Sequence, residues 1–352
     1  MTDKRDNPEL LDQRKLDHIE LTAEEDVEFR ETPTLLEEVR FFHQSLPELA
    51  VDTIDTSTTF LGFELDYPIM ISGMTGGTAK AREINRTLAA VAEEWGFGFG
   101  VGSQRAMMRD PSKNETYAVR DVAPSIPIFG NIGVVQAADA NTAQLEELVE
   151  AIGASALCIH LNPAQEIIQD DGDRDFRGCV AALAEHADRL SVPIIAKETG
   201  CGMSPTTIQQ IKDAGISAVD VSGAGGTTWV GVETLRGSDL RSKVGQALWE
   251  WGVPTAASVH YASKAGMEVI ASGGLRTGVD IAKSIALGAS IGSSALPWLR
   301  AAFHGGEKEA QKVAEAFVET LRAVMLLTGS RTVADLQKAE KRIGPKLREW
   351  IA

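Results

Sequence analysis

The stretch "EVIASGGLRTGVDIAKSIALGASIGSSALP", residues 268–297, decides the fold. "EVIASGG" (268–274) is an apolar run that ends in a glycine pair. From about Thr277, "TGVDIAKSIALGA" carries apolar residues at helical spacing. "ASIGSSA" (289–295) is a second apolar run. Strand, helix and strand in about 30 residues make a β–α–β unit, whose strands run parallel. Strands that are apolar throughout, rather than alternating, suit a parallel sheet covered on both faces.

The same rhythm extends back toward the N-terminus. Strands are expected in "PIMIS" (68–72), "GFGFGVG" (96–102), "IPIFGN" (126–131), "ALCIHL" (156–161), "PIIAKE" (193–198) and "AVDVSG" (218–223). Helix-period segments such as "AREINRTLAAVAEEW", "NTAQLEELVEAIG", "DFRGCVAALAEHADRL" and "SPTTIQQIKDAG" lie between them. Eight strand–helix units over about 230 residues point to a (β/α)8 barrel; an open doubly wound sheet is the alternative. The barrel would occupy residues 68–352. Residues 1–67 form an N-terminal extension with helical pieces and a hairpin in "VDTIDTSTTFLGFELDYP", turning at Gly62. Residues 224–252 are a Gly-rich, then helical insertion after the sixth strand, placed where barrels carry lids and site walls.

Composition narrows the function. Of 352 residues, 43% are hydrophobic and 24% charged, ordinary for a globular protein. The net charge of −16 argues against nucleic acid as a partner. No stretch approaches the roughly 20 apolar residues of a membrane span, and the polar N-terminus shows no secretory signal. Cys158, Cys179 and Cys201 have no metal-ligand spacing and are odd in number, so a reducing cytoplasm is expected.

In a barrel, the C-terminal strand ends form the active face. Here they read "SGMTGGT", "VGSQR", "GNIG", "HLNPAQE", "KETGCG", "SGAGGT", "SGGLRTG" and "GSSA". Any one of these is an ordinary turn; eight polar, glycine-rich ends together suggest a site. The last two follow strands seven and eight, where barrels commonly bind phosphate on backbone N–H groups. A phosphate site is therefore expected at Gly273, Gly274, Leu275, Arg276, Ser294 and Ala295. Lys197 ends the fifth strand, and is a snorkelling side chain, a Schiff-base nucleophile or the electrostatic partner of a cofactor. Asn131, Ser222 and Thr227 add neutral hydrogen-bonding groups. That mixture suits a flat, heteroatom-rich ring, and beside a phosphate pocket FMN is the natural candidate. His160 is a base or simply a hydrogen-bonded strand end. Cys201 reads more readily as structural than as a nucleophile. Arg14 and Lys15, in "QRKLDHIE", read on their own as a solvated helix face.

The motifs together resemble the type 2, FMN-dependent isopentenyl-diphosphate isomerases over essentially the whole chain. The resemblance rests on "RKLDHI", "MTGGT", "VGSQR", "GNIG", "HLNPAQE", "KETGCGMS", "DVSGAGGT", "WGVPTA" and "ASGGLRTGVDIAKSIALGA". "HLNPAQE" with "VGSQR" and "RKLDHI" is the most specific part. The resemblance implies FMN held by Met74, Thr75, Gly76, Ser103, Asn131, Lys197, Ser222 and Thr227. It implies a substrate diphosphate on Arg14, Lys15, Ser103, Gln104 and Arg105, with His160 and Gln165 nearby and Glu166 on Mg²⁺. His160, Gln165 and Lys197 are the expected catalytic residues. It also implies reduction of the flavin by NADPH and a homotetramer or homo-octamer, in which Arg14 and Lys15 can come from a neighbouring subunit. Rival readings are an FMN-dependent 2-hydroxy-acid oxidase or dehydrogenase, an IMP-dehydrogenase-like enzyme using Cys201, and a non-catalytic flavin- or phosphate-binding protein.

Overall fold

The computed structural model describes residues 8–352, with side chains from Asp12 onward. Helix α1 (Pro8–Glu24) opens the described chain. The barrel strands are β1 (Ile69–Ile71), β2 (Gly98–Gly100), β3 (Ile128–Gly133), β4 (Ala156–Leu161), β5 (Ile194–Glu198), β6 (Ala218–Asp220), β7 (Glu268–Ala271) and β8 (Ile291–Ser294). They close in chain order, every neighbour parallel, with β8 beside β1. The open-sheet alternative is thereby excluded. The strands fall within the expected runs, apart from β3, which continues through Gly133 beyond the expected Asn131.

Period-two alternation divides each strand between two cores. Ile69 and Ile71 face the outer helices, while Met70 faces the barrel axis with Phe129, Cys158, Ile195, Ala218, Ile270 and Ile291. The hairpin Thr58–Phe60 and Phe63–Leu65 plugs the lower end of that axis with Phe60 and Leu65. Its turn needs left-handed backbone at Leu61 (φ 51°) and at Gly62 (φ 82°), the pattern of a two-residue primed turn. Two residues above the inner apolar layer, the same strands present Ser72, Asn131, His160, Lys197, Asp220, Ser272 and Ser293. Register sets His160 beside Lys197 and Lys197 beside Asp220.

The insertion after β6 forms two helices, Trp229–Arg236 and Asp239–Leu248. The extension is bonded to it: Thr228 N donates to Val27 O (2.8 Å), Phe29 N to Gly226 O (2.9 Å), and Glu250 accepts from the N–H groups of residues 30–32. Val39–Phe41 pairs antiparallel with Lys341–Ile343, tying the extension to the C-terminal tail. The extension thus carries α1 across the upper mouth of its own barrel, bringing Arg14 and Lys15 to the cavity of the same chain.

Candidate active site

A cavity with about 1440 Å³ free of protein atoms, partly open to solvent, occupies the C-terminal mouth. Of the expected residues, Arg14, Lys15, Met74, Thr75, Ser103, Arg105, Asn131, His160, Gln165, Glu166, Lys197, Ser222, Thr227, Gly273, Gly274, Arg276, Ser294 and Ala295 all line it. Gly76, Gln104 and Leu275 do not. A Cβ on Gly76 would lie 1.9 Å from the Tyr117 ring, so that glycine serves packing. Leu275 is fully buried, and its carbonyl accepts from Ser294 Oγ (2.7 Å). Gln104 is also fully buried. Its Nε2 donates to Leu148 O (2.9 Å) and its Oε1 accepts from Asn131 N (2.9 Å), so its amide is spent on the backbone rather than turned to the cavity.

Gln104 still bears on the site through Asn131. Asn131 Oδ1 accepts from His160 Nδ1 (2.7 Å), which fixes the tautomer and leaves Nε2 as an acceptor. Burial, with Lys15, Lys197 and Arg105 close by, lowers the His160 pKa to about 3. His160 is therefore neutral at physiological pH and a weak base.

One side of the mouth is cationic. Lys15 is enclosed beside Arg14 and Arg105, and desolvation with those like charges lowers its pKa to about 7. Arg14 faces Asp171 (3.5 Å) and Arg105 faces Asp173 (3.5 Å), but no carboxylate pairs with Lys15 among the described residues. Three cations around one pocket mark a place for a polyanion.

Glu166 stands next to this cluster. Its Oε1 accepts from Asn162 Nδ2 (2.8 Å) and its Oε2 from Asp173 N (2.7 Å). Burial, reinforced by Asp173, raises its pKa. A cation would offset that cost, and each carboxylate oxygen keeps a free lone pair. Among the described residues no three His, Cys, Asp or Glu side chains form a metal cluster. A cation here must take most of its ligands from phosphate and water, as Mg²⁺ commonly does.

The opposite wall fits a flavin nucleotide. Thr75 Oγ1 is buried with no hydrogen-bond partner among the described residues. Lys197 Nζ spends one donor on Asp220 Oδ2 (2.7 Å) and has two left. At the expected phosphate site, the N–H groups of Gly273 and Gly274 meet no acceptor among the described residues. Arg276 is already committed to Glu28 and to Leu275 O (3.1 Å). Just before the helix that follows, Asp280 Oδ2 accepts from Arg276 N and Thr277 N (3.0 Å each), which withdraws those two N–H groups from an anion. At the start of Leu296–Leu327 the N–H groups of Ala295 and Leu296 meet no acceptor among the described residues and remain for an anion, whereas Pro297 has no N–H and Trp298 N donates to Ala295 O (3.1 Å).

Several lining or supporting groups were not singled out from sequence. Glu233, 1% exposed, accepts from Gln165 Nε2 (3.1 Å), His18 Nε2 (2.8 Å) and Arg236 Nη1 (2.7 Å). Burial alone would raise its pKa, but His18, Arg236 and Gln165 together hold it at about 2. It therefore orients Gln165 and docks α1 at once. Nothing local in "WVGVETLR" distinguishes it from a solvated helix face. Asp220 did carry a signal: a carboxylate inside the apolar run "AVDV".

Comparison with known proteins agrees with this architecture. The FMN-dependent dehydrogenase family model matches residues 8–165 and 161–342. An isopentenyl-diphosphate delta-isomerase of Thermococcus onnurineus is 44% identical, covering 98% of this chain and 95% of the relative. That of Methanosarcina mazei is 42% identical over 96% and 93%. That of Halobacterium salinarum is 44% identical over 96% and 95%. Among solved structures, mandelate oxidase superposes with a TM-score of 0.64 at 16% identity, covering 96% of this chain and 98% of the other, a likeness of fold alone. The chain belongs to the FMN-dependent dehydrogenase family and, within it, to the isopentenyl-diphosphate delta-isomerases.

Proposed function

We propose that this chain interconverts isopentenyl diphosphate and dimethylallyl diphosphate, with FMN bound in the mouth cavity and used in its reduced form. The observation that carries the reading is one cavity with a cationic side at Arg14, Lys15 and Arg105 and a polar wall ending in Lys197. The reaction adds a proton at the terminal alkene carbon and removes another from C2, with no net redox change. An alkene is a poor base, so the donor must be strong and well placed. His160, held neutral with its Nδ1 proton committed to Asn131, does not supply such an acid. Bound reduced FMN supplies acid and base at the substrate.

The chain's own residues position the reactants. Arg14, Lys15, Arg105 and Ser103 bind the diphosphate, and its charge offsets the repulsion among the three cations. Glu166 would hold Mg²⁺, whose charge would help neutralise the diphosphate. Gln165, oriented by Glu233, faces the substrate, and His160 contributes a hydrogen bond. Met74, Thr75, Asn131, Lys197, Ser222 and Thr227 hold the flavin ring end, while Gly273, Gly274, Ser294 and Ala295 hold its phosphate. NADPH is the reductant, and the enzyme works in the cytoplasm as a homotetramer or homo-octamer. No helix among the described residues is long and apolar enough to cross a membrane.

The test is anaerobic turnover by FMN-loaded enzyme reduced with dithionite, with Mg²⁺ and no NADPH. Conversion is expected there and absent with oxidised flavin in air. Equal activity with oxidised flavin would overturn the reading.

A further inference from the structure

Asp220 is the most deeply buried carboxylate near the site. It is 0% exposed at the end of β6, and it lies beneath the cavity rather than on its wall. Each of its oxygens has a partner that does line the cavity. Oδ2 accepts from Lys197 Nζ (2.7 Å), and Oδ1 accepts a short hydrogen bond from Ser272 Oγ. Ser272 Oγ in turn accepts from Ser222 N (3.1 Å), and Ser272 directly precedes Gly273 and Gly274. One carboxylate therefore reaches the cationic end of the proposed flavin wall and the start of the proposed phosphate turn.

A buried ion pair is weak evidence for stability, because desolvation offsets most of its attraction. Hydrophobic neighbours would serve folding as well: Asp220 is level with Ile270 on β7, and its strand neighbours Val219 and Val221 are fully buried. The position that retains a charge is the one in register with Lys197. The charge-bearing groups around it are Lys197 from β5 and, two residues below Lys197's neighbour His160, the Cys158 thiol, which burial and Asp220 raise to about 12 and so keep protonated.

We propose that Asp220 is a positioning residue that acts through Lys197: it holds the ammonium in place and compensates its charge, and so sets how strongly the cavity favours reduced over oxidised flavin. This rests on the reading that FMN occupies the cavity. The ammonium stands on the cavity wall and the carboxylate behind it, so the ring meets a positive charge that is partly neutralised from below. Removing the carboxylate's charge exposes that positive charge in full. The reduced flavin, which carries more negative charge, is then favoured further. Without Lys197 the carboxylate has no ammonium to hold or compensate, so removing it afterwards adds little.

The experiment measures the midpoint potential of bound FMN, by equilibration with a reference dye at pH 6.5, in four proteins. These are wild type, Asp220→Asn, Lys197→Met and the double variant. Asp220→Asn is expected to favour the reduced flavin by tenfold or more, an upward shift of about 30 mV for a two-electron couple. Lys197→Met is expected to shift it downward, and the double variant to match Lys197→Met. A change below threefold in Asp220→Asn, or the same upward shift in the Lys197→Met background, overturns the proposal. Ser272→Ala decides the matter if Asp220→Asn does not fold. Freed from the Ser272 donor, the carboxylate binds Lys197 more strongly, and a two- to threefold shift in the opposite direction is expected; no shift overturns the proposal. The two levels separate cleanly. FMN that fails to bind wild type removes the underlying reading, whereas a potential that responds to Lys197→Met but not to Asp220→Asn or Ser272→Ala removes this proposal alone.

Discussion

Raising the pH from 7 to 9 is expected to weaken binding of a diphosphate ester about 50-fold, through Lys15. In the free protein its pKa is lowered to about 7 by burial and by Arg14 and Arg105. The charged form is thus disfavoured before binding and favoured once phosphate oxygens surround the ammonium. At and below pH 7 a large share of Lys15 is already protonated, and affinity changes little. Above pH 7 the charged form falls about 5.5-fold over the first unit and about ninefold over the next, while the ammonium surrounded by phosphate oxygens keeps its proton across this range. The first unit therefore costs about 1.0 kcal/mol and the second about 1.3 kcal/mol, together about 2.3 kcal/mol. The ester itself does not confuse the slope, since its last ionisation lies near 6. Isothermal titration with isopentyl diphosphate, a saturated analogue that cannot isomerise, gives Kd at fixed Mg²⁺. Repeating the titration at pH 8 in buffers of different ionisation enthalpy should reveal uptake of about 0.9 proton per site. Lys15→Arg should flatten the profile, because a guanidinium stays charged across the range. A wild-type Kd that is constant from pH 7 to 9, or an unchanged slope in Lys15→Arg, would refute the reasoning.

The remaining predictions probe the other parts of the cavity. Arg14→Ala should raise KM for the diphosphate substrate roughly 10- to 100-fold, the value of a charge-assisted hydrogen bond, with flavin content unchanged; loss of flavin instead would move Arg14 out of the substrate site. Glu166→Gln should retain FMN, lose most activity and need more Mg²⁺ for half-saturation, and an unchanged Mg²⁺ titration with near-normal turnover would exclude the metal role. Gln104→Ala should cost about 2–4 kcal/mol of stability, read as a lower denaturation midpoint, since it strands Leu148 O and Asn131 N and leaves a cavity. A Gln104→Ala protein of wild-type stability with a raised KM would instead return Gln104 to the substrate.

The barrel was legible because its signal is local and repeated. Each strand is a short apolar run bounded by glycine or proline, and each helix keeps its own period and caps, such as Thr78 before Ala79–Trp95 and Gly96 after it. The glycine pair of the proposed phosphate turn was legible for the same reason, but which neighbouring N–H groups are free was not. After β7, Asp280 Oδ2 takes the N–H groups of Arg276 and Thr277, while after β8 the N–H groups of Ala295 and Leu296 meet no acceptor among the described residues. Both helices follow a glycine- or serine-rich turn, and only the fate of individual N–H groups separates them. Gln104 shows the reverse problem. Its motif "VGSQR" runs along the cavity, but the turn after β2 points Ser103 and Arg105 inward and Gln104 down onto the backbone of β3.

Strand alternation explains what else could have been read. On β1, β3, β4, β5, β6, β7 and β8 the inner apolar residue is followed two positions later by a polar one: Met70 by Ser72, Phe129 by Asn131, Cys158 by His160, Ile195 by Lys197, Ala218 by Asp220, Ile270 by Ser272 and Ile291 by Ser293. A side chain two residues on points the same way, so the ring of apolar groups in the lower barrel dictates a ring of polar groups at the mouth. That rule needs no family resemblance, and it reaches Asp220 and Ser272 as readily as Lys197. It does not reach Glu233 or Lys15, which arrive from outside the barrel on helices whose faces look solvated. Their chemistry depends on the extension folding back over the mouth: only then does the Lys15 ammonium lose its water, and only then does an acidic chain hold a cationic pocket.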